Sequence, residues 1–264
     1  MVKAMEQIRT ALRQLLLSDK LLGLKSIPVC PHPPRLAAPG SGVRARHVDA
    51  TANAERLRVL DESQVKGCRK CSLCDTRTKT VFGQGNAAAR IVFVGEGPGS
   101  EEDKQGLAFV GPAGQMLTRM IVAMGLSREE VYICNIVKCR PPDNRTPQAD
   151  EILACNPYLQ EQLSIILPEV IVALGAPAAK TLLNTADSIG KLRGRFHEYS
   201  TSGQPGKGTT IPVMPTYHPA YLLRSPEEKG RVWADLQLVM ARLGLTSTAQ
   251  RKQSNPGPAS SRNS

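Results

Sequence analysis

The sequence predicts an α/β fold built on a parallel sheet with helices on both faces. Three observations carry this. Four short runs rich in Val and Ile, at 89–94, 131–137, 170–174 and 211–216, are bounded by Gly, Pro or Asn, as buried strands are. Stretches of helical period alternate with these runs, at 113–124, 148–166, 176–183 and 227–243. And 264 residues with 41% hydrophobic content suffice for one sizeable α/β domain.

Taken in order, residues 1–54 read as an extension. Met5, Ile8, Leu12 and Leu16 recur at helical spacing, so 4–17 is expected to form a short amphipathic helix. Pro28, Pro31, Pro33, Pro34 and Pro39, followed by Gly40-Ser41-Gly42, read as an unpacked linker. The folded domain is expected over 55–245. Its last helix carries Val232, Leu236, Val239 and Leu243 on one face, with Trp233 and Met240 beside it. Residues 246–264 are Ser, Gln, Asn, Pro and Gly with basic residues, the composition of a disordered tail.

The chain carries 34 Lys+Arg against 23 Asp+Glu, a net charge of +11. That excess points to a polyanionic partner, nucleic acid first and an anionic membrane surface second. Its distribution is uneven: +6 over residues 1–60, +2 over 61–245 and +3 over 246–264. No run approaches the roughly 18 apolar residues of a membrane span, and no secretory pattern opens the chain. A soluble cytoplasmic protein is expected.

In open parallel sheets ligands bind beyond the carboxyl ends of the strands. Here the first strand runs into Gly95-Glu96-Gly97-Pro98-Gly99, the second into Asn135-Ile136-Val137-Lys138-Cys139-Arg140-Pro141-Pro142, the third into Gly175-Ala176, and the fourth into Tyr217-His218-Pro219. The glycines do not form a dinucleotide fingerprint. Their spacing is G-x-G-x-G, Pro98 removes a backbone donor, and Glu101-Glu102-Asp103 would repel phosphate. A tight Gly-Pro-Gly turn instead lets backbone approach a flat ligand.

Six of the seven cysteines fall between Cys68 and Cys155. In a cytosolic chain such clustering reads as metal or cluster ligation before disulfides. Cys68-x2-Cys71, extended by Cys74, and Cys139-x15-Cys155 suit tetrahedral zinc and an iron–sulfur cluster equally, and spacing does not separate them. Cys134, inside a strand, is expected to be buried and unligated, and Cys30 to be a free thiol. His218 and Asn135 both stand at strand ends. An amide offers a donor and an acceptor side by side, suited to a base edge. Phe109 is one of four Phe, by default a core residue and otherwise a stacking surface.

Cys68-x2-Cys71 followed by Arg77-Thr78, Val81-Phe82-Gly83-Gln84-Gly85, GEGPGSEED at 95–103, Phe109-Val110-Gly111, NIVKCRPP at 135–142, Cys155 and HPAYLLR at 218–224 together resemble the family 4 iron–sulfur uracil-DNA glycosylases. The resemblance covers roughly residues 55–245. It implies a three-layer α/β/α sandwich with a four-stranded, mostly parallel central sheet. It implies a [4Fe–4S] cluster on Cys68, Cys71, Cys139 and Cys155, with Cys74 a bystander. It also implies base-excision repair: uracil flipped from DNA and hydrolysed from its sugar by a chain acting as a monomer.

By the same resemblance Phe109 would stack on uracil, and Asn135 would bond to its O4 and N3–H, which rejects cytosine. Glu102 would fill the space of a thymine methyl, and the Gly97 backbone beside Glu96 would line the base edge. His218 would stabilise negative charge on O2. Glu96 is the candidate for positioning water. Leu222, Leu223 and Arg224 would form the loop that enters the duplex. Lys138, Arg140, Arg145, Arg193, Arg195 and Arg224 are expected near the mouth. No His occurs from Cys139 through Asp150, so turnover without a stable adduct is expected. The competing readings are a non-catalytic, replication-associated DNA-binding protein on this fold and an iron–sulfur electron carrier. Neither accounts for a complete base pocket.

Overall fold

A computed structural model describes residues 49–201 and 208–247. The expected helix at 4–17, the Pro-rich linker with Cys30, and all but the first two residues of the basic tail lie outside the described residues. Strands β1 (Gln84–Gly85), β2 (Ile91–Gly95), β3 (Tyr132–Asn135), β4 (Val170–Leu174), β5 (His197–Ser200) and β6 (Thr210–Thr216) form one sheet in the order β1-β3-β2-β4-β6-β5. The helices are α1 (Ala50–Leu60), α2 (Ser100–Gln105), α3 (Pro112–Ala123), α4 (Ala149–Ile166), α5 (Ala176–Leu183), α6 (Ile189–Leu192), α7 (Pro219–Arg224) and α8 (Lys229–Leu243).

The four central strands are parallel to one another, as expected. Every residue of β2, β3 and β4 is buried, which is why these strands appear as continuous apolar runs rather than alternating ones. Side chains alternate between two separate cores. Val92, Val94, Cys134, Ile171 and Ala173 face α1, α4 and α5; Ile91, Phe93, Ile133, Val172 and Met214 face α3 and α8. The result is the three-layer sandwich.

The sheet has six strands rather than four. The additions are antiparallel edges, β1 on β3 and β5 on β6. Neither has an apolar run: β1 is two residues long, and β5, His-Glu-Tyr-Ser, buries only Tyr199. An edge strand pairs on one side only and needs no continuous apolar segment.

Helix α1 has no counterpart in the sequence expectation. Asp49 caps it by accepting from the Thr51 and Ala52 N–H groups. Its buried stripe includes a polar residue, Asn53, whose amide donates to the carbonyls of Ala87 (3.2 Å) and Ile165 (2.8 Å). The helix continues into a π-turn, Asp61–Val65, which leads the chain into Cys68.

From β2 the chain passes to β3 on one side, then crosses to β4 on the other. This reversal opens a crevice at the carboxyl ends of the strands. The last strand is anchored beside it. Asp235, fully buried on α8, accepts from Thr216 Oγ1 (2.6 Å) and from both Nε and Nη2 of Arg193 (3.1 and 2.8 Å). Thr216 is the final residue of β6, two before His218.

Candidate active site and cysteine centre

Gly95 and Asn135 are register partners at the ends of β2 and β3. The two chains stay together past the sheet: Ile136 N–H donates to the Gly95 carbonyl (3.0 Å) and Val137 N–H to that of Glu96 (3.2 Å). Over Gly95 two side chains converge. A Cβ there would collide with Asn135 Oδ1 and lie 2.5 Å from Phe109 Cζ. Glycine is therefore required, not for its conformation but to leave room for a ring beside an amide.

Asn135 is 1% exposed, and its Oδ1 has no hydrogen-bond partner. A buried amide oxygen without a partner costs about 1–3 kcal/mol unless a ligand completes it. Phe109 occupies the left-handed region, φ 53°, which a bulky side chain rarely adopts. Several contacts hold it there. Glu102 accepts from Val110 and Gly111 N–H (both 2.8 Å) and from Gly99 N–H (3.2 Å). Gln84 and Arg128 donate to the Ala108 carbonyl (3.2 and 2.9 Å), and the Phe109 carbonyl packs directly on Gly114. The Glu102 carboxylate thus shapes the turn that presents the ring.

The His218 ring lies 5.6 Å from that of Phe109, tilted by 34°. Gly175, at φ 90°, lets it approach: a Cβ there would stand 3.0 Å from His218 Cβ. His218 is also the N-cap of α7, and its Nδ1 accepts from Ala220 N–H at 3.1 Å. An acceptor at Nδ1 puts the neutral ring's proton on Nε2. Burial, with the Arg224 charge adding to it, lowers the imidazole pKa to about 4, against a smaller opposing influence of Glu102. At neutral pH this is an uncharged donor.

The Glu96 carboxyl is raised above the usual carboxylate range by burial, and a hydrogen bond from Thr146 partly offsets this. Gly97 backs onto Val137, whose Cγ2 would be 2.9 Å from a Cβ. Glu96 directly follows Gly95, the residue over which Asn135 and Phe109 meet.

Two expectations change. Leu222 is 2% exposed and belongs to the core beneath α3 and α8, whereas Leu223 is 46% exposed. The segment is a helix, not a loop, and successive helical residues point about 100° apart. Leu222 is thus the anchor and Leu223 the presented side chain, with Arg224 exposed beside it. Lys138 does not reach the mouth: it is 1% exposed, among the largest fully buried side chains. Of the other cations, Arg195 is exposed, and Arg140 is half-buried and donates to Asn144 Oδ1. Arg193 is committed to Asp235 and Arg145 to Glu151.

On the other side of β3, Cys68, Cys71, Cys74, Cys139 and Cys155 line one cavity together with Arg77, Lys138 and Tyr158. Among the described residues no group of three or more His, Cys, Asp or Glu is arranged to hold a single metal ion. Three of the thiols receive the donors that a thiolate centre needs. Lys138 N–H points to Cys155 Sγ (3.2 Å), Arg77 Nη1 to Cys139 Sγ (3.2 Å) and Tyr158 OH to Cys68 Sγ (3.3 Å). Burial pushes the Cys139 thiol up to about 11 against the pull of Arg77, so cationic charge is required to ionise it. Cys74 differs, since its thiol donates to Asp75 Oδ1.

Glu151 braces the cysteine segment against the loop that precedes α4. Its fully buried carboxylate accepts from Arg145, from Ser72 Oγ between Cys71 and Cys74, and from Gln148 N–H. The Arg145 guanidinium holds its pKa at about 2. Glu151, Asp235, Gln162 and Tyr158 carry no motif signal, because support for a site through space leaves no spacing pattern in the chain.

The family model described as "Uracil DNA glycosylase superfamily" matches residues 82–237. A "Type-4 uracil-DNA glycosylase" of Saccharolobus solfataricus is 48% identical over 172 residues, 63% of this chain and 77% of that protein. One of Thermotoga maritima is also 48% identical over 172 residues, covering 65% and 85%. A "Type-5 uracil-DNA glycosylase" of Pyrobaculum aerophilum is 31% identical over 186 residues, covering 65% and 78%.

Proposed function

This chain belongs to the uracil DNA glycosylase superfamily, and on that premise we propose how it releases uracil from DNA and leaves an abasic site. The carrying observation is the buried Asn135 amide, whose oxygen lacks a partner beside a stacking ring. Uracil supplies what is missing: N3–H donates to Asn135 Oδ1 while O4 accepts from its Nδ2. Cytosine presents the reversed pattern and leaves both groups unpaired, which costs more than a lost attraction. Phe109 stacks on the flipped base, the Gly97 backbone lines its edge, and Glu102 holds the ring-bearing turn against the position of a C5 methyl.

A base must leave the stack to reach this crevice, at a cost of a few kcal/mol. Leu223 fills the gap, Leu222 anchors its helix, and Arg224 meets phosphate. As the C1′–N1 bond breaks, its electron pair moves to the base and charge builds on O2. The Nε2–H of His218 donates to that oxygen. A neutral donor pre-aimed at developing charge is the arrangement that stabilises a transition state most. Glu96 positions the water that adds to C1′ and accepts its proton, a task helped by its raised pKa. One copy of the chain supplies every group named.

Cys68, Cys71, Cys139 and Cys155 would hold a [4Fe–4S] cluster, with Cys74 left out. Such a cluster would tie the segment before β1 to the turn after β3 and to α4, a structural rather than chemical contribution.

Iron-replete protein is expected to render a uracil-containing single strand cleavable by alkali at the uracil, and absence of cleavage would overturn the assignment. Gly95→Ala tests the pocket itself. Its Cβ occupies the space between the amide and the ring, so excision should fall by about 100-fold or more while the circular dichroism spectrum is retained. Activity near the wild-type level would place the base elsewhere.

A further inference from the structure

Lys138 is buried to 1% exposure, and no carboxylate pairs with it among the described residues. An isolated buried ammonium is costly, so its charge must be met by something other than a salt bridge. Its two ends answer this. The main-chain N–H donates to Cys155 Sγ, and the residue lines the cavity of Cys68, Cys71 and Cys139. The ammonium donates to the main-chain carbonyl of Asn135 (2.8 Å) and to Gln162 Oε1 (2.6 Å). Gln162 is fully buried and fixed in turn, its amide donating to the Phe82 carbonyl (2.9 Å) and toward Tyr132 OH (3.3 Å).

We propose that Lys138 is a positioning residue that couples the cysteine centre to the base pocket. Its buried charge is matched by the thiolate centre, and its ammonium fixes the main chain of Asn135, so that the amide meets the base in one orientation. The inference rests on the base-reading role given to Asn135 above. Four thiolates around a 2+ cluster carry a net charge of about −2, and of the cations lining that cavity, Lys70, Arg77 and Lys138, only Lys138 is fully buried. The nearby Asp61 carboxyl is not bonded to the lysine, and its Oδ1 is unpaired. Geometry gives the coupling its direction, since three residues separate the sulfur-bound turn from the amide that reads the base.

The test uses iron-replete protein and two independent readouts: release of iron to a chelator, and inhibition of excision by free uracil. Lys138→Met removes the charge and keeps the bulk. Iron release should accelerate about tenfold and uracil inhibition weaken about tenfold, the scale of a lost charge-assisted hydrogen bond. Asn135→Ala should abolish uracil inhibition and leave iron release unchanged. A Lys138→Met protein altered in neither readout, or in one alone, overturns the coupling. Should that variant not fold, Gln162→Met carries the test, because it keeps the charge and frees the ammonium. Uracil inhibition should then weaken several-fold with iron release unchanged, and unaltered inhibition overturns the proposal. Wild-type excision is measured alongside. An active wild type with insensitive variants refutes the coupling alone, whereas an inactive iron-replete wild type refutes the uracil reading.

Discussion

His218→Ala is expected to lower the single-turnover rate of uracil excision by about 100- to 1,000-fold, the usual loss when one preorganised donor to developing negative charge is removed. Binding of uracil-containing DNA, measured by fluorescence anisotropy, should change little, because the donor acts mainly as the bond breaks. The substitution also removes the N-cap of α7, worth about 1 kcal/mol. A companion variant separates the two effects. His218→Asn retains a good capping side chain but has no group at the Nε2 position, so it should melt like the wild type and remain as slow as His218→Ala. Recovery of rate in His218→Asn would show that the histidine serves the helix rather than the reaction.

The same residue sets a pH signature. Its folded-state pKa, about 4, lies below the ordinary value of 6.5. Between these values the unfolded chain binds the extra proton and the folded chain does not, so stability rises with pH across this window. The contribution is complete above about pH 6.5 and lost as pH falls towards 4. For a partly exposed ring it amounts to roughly 2 kcal/mol. Urea unfolding at pH 7 and pH 4.5 should show this difference in wild-type protein and a smaller one in His218→Asn. Protonation would also place a hydrogen on Nδ1, facing the Ala220 N–H it now accepts, and the raised Glu96 carboxyl loses its capacity to accept a proton in acid as well, so the excision rate should fall as pH drops from neutral towards 4.

Cys139→Ser is expected to lose the brown colour of an iron–sulfur protein and several kcal/mol of stability together, since binding energy at a site that the unfolded chain lacks is folding energy. Cys139 is 6% exposed, receives Arg77, and directly follows Lys138 in the turn after the base-reading strand. Iron per chain and the melting temperature should fall in parallel. Cys74→Ser is the contrast. That thiol already donates to Asp75, so iron content should stay at the wild-type level. Iron loss from Cys74→Ser, or full iron retention in Cys139→Ser, would reassign the ligands.

The central strands and long helices were legible because burial on both faces leaves unbroken Val and Ile runs, and α5 fell on residues 176–183 as expected. The crevice was legible too, since sheet topology sends every strand-end motif to one side. What escaped was local in a different sense. Asn53 disguises the buried stripe of α1, and Leu222 and Leu223 exchange roles once their segment is helical. Lys138 seemed to belong at the surface because charge in a sequence carries no depth. The chain turns inward after Asn135, towards the cysteines, and takes the lysine with it.

The packing of the Phe109 carbonyl on Gly114, with the ring tip over Gly95, has an evolutionary consequence. Three positions within one short segment, two of which tolerate no Cβ, define one stacking surface. A Cβ added at either glycine displaces Phe109. Enlargement of this pocket is therefore open at the ring position and closed at the two glycines.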